Sequence, residues 1–177
     1  MIAMKLSSLP CLLFLLLCGA FAATLVYCQQ PTSPDSDVLE PVDGKKDLYP
    51  IGADAKKEIE EALKKAAGEK KRVLLVFGGN WCYDCHVLEH ALHEGPAGEI
   101  MQESFLLVDV DIGEGDKNLD LLKKYRIPLE KGVPAVAIID SHGELVYSSG
   151  DGEFESARKM MKADLLAFLR RWKETAR

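Results

Sequence analysis

The chain has 177 residues, 47% of them hydrophobic and 28% charged, with a net charge of −6. That is room for one ordinary globular domain plus appendages. No basic stripe occurs in it, and phosphate binding needs clustered Lys and Arg, so nucleic acid is excluded as the main partner.

The first thirty residues stand apart from the fold. Lys5 gives a short positive start, Leu9 to Ala22 is almost wholly apolar, and Ala20-Phe21-Ala22 fits a small-x-small cleavage site. This is the pattern of a secretory signal peptide over residues 1–22. Two other readings stay open. Apolar residues continue to Tyr27, near the ~20 needed for an uncleaved anchor, and Cys28 could carry a lipid, although bulky Tyr27 fits that processing poorly. A membrane partner is implied only by these two. All three readings predict an exported chain, periplasmic or secreted. Cys11 and Cys18 lie within the apolar stretch, leaving Cys28, Cys82 and Cys85. A disulfide-stapled scaffold would show more cysteines at wider spacing.

Residues 23–50 read as a flexible linker, since the Pro, Ser and Asp that dominate Gln29 to Asp47 cannot bury a core. The ordered domain is expected over 51–177. Asp54 is a candidate N-cap, and Ala55, Ile59, Ala62, Leu63 and Ala66 recur at helical spacing. Val73 to Phe77 is an unbroken apolar run, as in a strand covered on both faces. Gly78-Gly79-Asn80 turns the chain into a helix from Cys82 to His93. Gly95-Pro96 interrupts it, and Ala97 to Glu103 follows as a second helical piece.

Phe105 to Val110 is a second buried strand, and the helical crossover before it makes the pair parallel. Leu119, Leu121, Leu122 and Tyr125 suggest a helix ending before Pro128. Ala135 to Ile139 and Glu144 to Ser148 flank Ser141-His142-Gly143 as an antiparallel hairpin. A helix from about Glu153 to Trp172 closes the chain. The order is α-βαβ-α-ββ-α.

Chemistry concentrates at Trp81-Cys82-Tyr83-Asp84-Cys85, a C-x-x-C between a strand and a helix. Cysteines at this spacing close a disulfide with little backbone movement. The first sulfur lies by the unpaired N–H groups of the helix start, which favour a thiolate. Cys82 is then the attacking group and Cys85 the resolving one. Asp84 places a negative charge near Cys82, which disfavours its thiolate.

These residues resemble the thioredoxin superfamily, through VLLVFGGNWCYDC, FLLVDVD, YRIP and Gly132-Val133-Pro134-Ala135. The resemblance covers about Ile51 to Trp172. It implies an α/β fold with a central mixed sheet of about four strands flanked by helices. It also implies a cis Pro134 against the active-site disulfide, with Val133 and Pro134 docking a substrate backbone and no cofactor required. Partners would be protein thiols or disulfides and a redox-resetting protein. Trp81 either shapes the substrate groove or packs beside the motif. Two family features are missing: Val76 stands where a buried acid is usual, and Leu106 or Leu107 where a lysine is.

Three rival readings concern the same segment. Cys82 to His86 spells C-x-x-C-H, a c-type haem attachment pattern, but that leaves the preceding strand and Pro134 unexplained. His86, His90 and His93 share a helix face and could join Cys82 and Cys85 in a zinc or copper site of a metallochaperone. Otherwise that face is solvated, with Glu89 and Glu94 nearby, and His86 tunes the surroundings of Cys85. The third rival is a redox-inert interaction domain. Asp109 and Asp111, alternating on a strand, read as strand-end solvation rather than metal ligands.

Overall fold

The computed structural model describes residues 37–173. The expected signal peptide, Cys28 and the first part of the linker lie outside the described residues. Helix α1 (Ala55–Glu69) begins where Asp54 accepts hydrogen bonds from the backbone N–H groups of Lys56 and Lys57, a cap worth about 1 kcal/mol. Then come β1 (Arg72–Gly78), α2 (Tyr83–His93), α3 (Gly95–Ser104), β2 (Phe105–Asp111) and α4 (Leu119–Lys124). The chain closes with β3 (Ala135–Ile139), β4 (Leu145–Ser148) and α5 (Lys162–Trp172). No helix among the described residues is long and apolar enough to cross a membrane.

The four strands form one mixed sheet in the order β2-β1-β3-β4, with β1 and β2 parallel and the other two pairs antiparallel. Strand β1 is central, which explains its continuous apolar run: its alternate residues feed two separate cores. Leu74 and Val76 pack with Val136 and Ile138 against Val87, Leu88 and Leu92 of α2 and Leu165 and Leu169 of α5. Val73, Leu75 and Phe77 pack the other way, against Ile59 and Ala66 of α1 and Leu121 and Leu122 of α4. The expected α/β architecture is the one observed.

Two expectations need correction. Residues 37–50, inside the predicted linker, are part of the packed fold. Leu39, Leu48 and Tyr49 are buried, and Val38 pairs with Met161 in an antiparallel bridge. The few apolar residues of this stretch are the ones in contact, so its polar average concealed a strap. The closing helix is also shorter than periodicity implied. Ala157–Lys159 forms a single 3-10 turn, and Met160 and Met161 are extended. The Leu39 N–H donates to the Met160 carbonyl, and the Arg158 N–H donates to Asp84. Backbone groups committed to these partners cannot continue a helix.

Candidate active site

Strand β1 ends and helix α2 begins at the C-x-x-C, and Cys82 itself is the N-cap of α2. Cys82 and Cys85 form a disulfide, with Cα atoms 5.3 Å apart. The Cys85 N–H donates to the Cys82 sulfur at 3.1 Å. Cys82 is 5% exposed and Cys85 is wholly sealed. Apolar contact with Leu48, Tyr49 and Val133 closes the rest of the pair.

Pro134 follows a cis peptide bond from Val133, and the Val133 carbonyl oxygen lies 3.7 Å from the Cys82 sulfur. The structure thus brings Cys82, Cys85, Val133 and Pro134 together. Trp81 is 56% exposed; its ring lies over Gly79, and the indole N–H donates to the Gly113 carbonyl at 2.8 Å. With Ile112, Leu129 and Val133 it lines a shallow groove of about 270 Å³ beside Cys82.

Asp84 is paired across the fold with Arg158. Its carboxylate is buried against Arg158, with Nη2 to Oδ2 at 2.5 Å and the Arg158 backbone N–H at 2.8 Å. A guanidinium at that range offsets the charge that Asp84 was expected to impose on Cys82. The solvated histidine face is corrected in part, since His93 and Glu94 are exposed and His90 is half-buried, while two residues of that face are not solvated. His86 is buried, and its Nε2–H donates to the Asn80 carbonyl at 2.9 Å, since a carbonyl oxygen only accepts. Glu89 is buried beside it, paired with Lys46 at 3.1 Å and His93 at 3.3 Å. The strap residues Pro41 to Gly44, Lys46 and Leu48 line a cavity together with His86 and Glu89. His86 and His93 are turned to these partners and do not converge on the cysteines. Among the described residues, no three His, Cys, Asp or Glu are placed to share a metal ion.

The roles of Asn80 and Tyr49 escaped the sequence reading, and Asp109 was misread. Asn80 accepts from the N–H groups of Leu48 and Tyr49, at 2.9 and 3.0 Å, and donates to the Tyr49 carbonyl at 2.9 Å. It therefore clamps the strap to the turn before the motif. Tyr49 is 2% exposed, and its hydroxyl has no hydrogen-bond partner. The signal for it was the apolar pair Leu48-Tyr49 ending a polar stretch. Asp109 pairs in register with Val76, so the two share the α2 side of the sheet. One of its carboxylate oxygens is closed to solvent and unpaired. Burial, followed by the charge of Glu89, pushes its carboxyl up to about 7. Strand-end solvation was thus wrong for Asp109, and an acid missing at position 76 stands one strand over. Its signal was a carboxylate on the same strand face as Phe105 and Leu107, both packed in the core.

A family profile described as thioredoxin-like matches residues 54–141. The crystal structure of a disulphide isomerase from Xylella fastidiosa superposes with a TM-score of 0.67 at 34% identity, over 71% of this chain and 96% of that one. The chain belongs to the thioredoxin-like family. This thioredoxin-like chain is also 30% identical over 120 residues to the thiol:disulfide interchange protein DsbD of Pseudomonas fluorescens, covering 67% of itself but only 18% of that protein. Family membership and the Cys82–Cys85 disulfide together support thiol–disulfide oxidoreductase chemistry.

Proposed function

We propose that the chain is an exported protein-disulfide oxidoreductase in which Cys82 exchanges with protein thiols or disulfides and Cys85 resolves the mixed disulfide. The observation that carries this reading is the asymmetry of the pair. Cys82 caps α2 and keeps a little exposure, while Cys85 has none. An incoming thiolate attacks along the axis of the S–S bond, and only Cys82 offers its sulfur from the open side. The Cys82 sulfur leaves as, or arrives as, a thiolate stabilised by the unpaired N–H groups of the first turn.

Val133 and Pro134 border Cys82 and offer an extended backbone edge to a substrate strand, and Trp81 walls the adjoining groove. A dedicated partner resets the pair, as the name of the DsbD relative suggests, and no cofactor takes part. Export rests on the amino-terminal pattern and on the resemblance to an interchange protein. The test is trapping in cells. Cys85→Ser is expected to accumulate mixed disulfides that disappear with dithiothreitol, and Cys82→Ser few or none. Equal trapping by both variants would reverse the order of attack. No trapping by either, in a pair inert to glutathione, would leave a redox-inert interaction domain.

A further inference from the structure

Tyr49 is packed against the disulfide from the strap, outside the segment that carries the motif. Its ring belongs to the cluster of Leu48, Cys82, Cys85 and Val133. Its backbone is pinned on both sides by Asn80, so the ring is aimed rather than merely accommodated. A Cβ placed on Gly78 would stand 2.5 Å from the Tyr49 hydroxyl oxygen and 2.5 Å from the Cys85 sulfur. Oxygen and sulfur are therefore no further apart than twice that distance, over the bare α-carbon of Gly78. Any side chain at position 78 would wedge them apart.

In the disulfide state the hydroxyl has no partner, although a buried O–H that donates to nothing carries a desolvation penalty. The sulfur facing it is, in this state, a neutral and weak acceptor. When the S–S bond breaks the same sulfur leaves as a thiolate, and hydrogen bonds to ionised acceptors are about twice as strong as neutral ones. We infer that Tyr49 donates its hydroxyl hydrogen bond to the Cys85 sulfur when the disulfide opens, which makes it a catalytic residue of the exchange.

The inference rests on the exchange reading above and assigns the step as follows. A protein thiolate attacks the Cys82 sulfur and forms a new S–S bond there. The Cys82–Cys85 bond breaks, and its electron pair leaves on the Cys85 sulfur. Tyr49 donates to that anion and keeps its own proton. Burial first, and then the carboxylates of Asp109 and Glu89, hold the phenol well above its ordinary range, so it stays a donor. In the resolving direction, the stabilised Cys85 thiolate attacks Cys82 and expels the partner as a thiolate. The hydrogen bond exists only on the reduced side, so it favours reduction and supplies more of the resolving thiolate.

The test is Tyr49→Phe in the full chain, equilibrated with reduced and oxidised glutathione beside the wild type at a pH above the titration of Cys85. The variant is expected to be about tenfold harder to reduce, equivalent to a couple ~30 mV more negative. In a Cys82→Ser background, the ultraviolet absorbance of the Cys85 thiolate is expected to titrate about one pH unit higher with Phe at 49. The melting temperature of the oxidised form is expected to hold or rise, because the deleted hydroxyl bonded to nothing there. Equal potentials and equal Cys85 titration in the folded variant would overturn the inference. So would a fall in oxidised-state melting without a change in potential, which marks a packing role alone. A wild-type pair inert to glutathione would remove the exchange reading together with this one.

Discussion

Replacing Asp109 with Asn tests whether the acid in register with Val76 is buried. The folded protein holds that carboxyl up to about 7, against an ordinary value of 3.8. In the unfolded chain it titrates near ~3.9. The raised group favours folding fully below about pH 4, and that contribution is lost as pH rises toward 7. Each unit of difference is worth ~1.4 kcal/mol, so the whole window amounts to at most ~4 kcal/mol. Asp109 keeps part of its surface exposed, which makes ~2–4 kcal/mol the expected range. Urea unfolding of the oxidised wild type and Asp109→Asn, at pH values from 4 to 8.5, reads this group and its coupling to Glu89, because titrations that do not feel Asp109 cancel in the difference. The variant should gain stability relative to wild type as pH rises from 4 to 7, and the gain should level off above that. A difference that is flat across the range, or that falls with pH, would refute a buried carboxyl at position 109.

Asn80→Ala removes three hydrogen bonds to the strap and should lower stability by about 2–3 kcal/mol at roughly 1 kcal/mol each. Amide hydrogen exchange should show Leu48 and Tyr49 losing protection before β1 does. Leu39→Ala should cost about 2–4 kcal/mol in denaturant unfolding if the strap belongs to the core. A cost near zero would return residues 37–50 to the status of a linker.

Much of this protein is legible in the order of its residues. An apolar run of five, repeats at helical spacing and Gly-Pro breaks are local signals, and local backbone geometry answers to them. They place β1, α1 to α4 and the β3–β4 hairpin, and the C-x-x-C sets two sulfurs at a helix start without any distant partner. What lies around the sulfurs is decided elsewhere. Asn80 meets Tyr49 across 31 positions, and Asp84 meets Arg158 across 74; nothing near either residue announces its partner. Asp84 reads as a free charge beside Cys82 until α5's lead-in folds over it. Asp109 reads as a solvated strand end until the register with β1 sets it beside Val76, on the face that α2 covers. Its protonation, the exposure of His86 and the aim of Tyr49 all depend on which surfaces are shut off from water. That is a property of packed layers, since desolvation and cross-chain charge act through space, while periodicity records only neighbours along the chain.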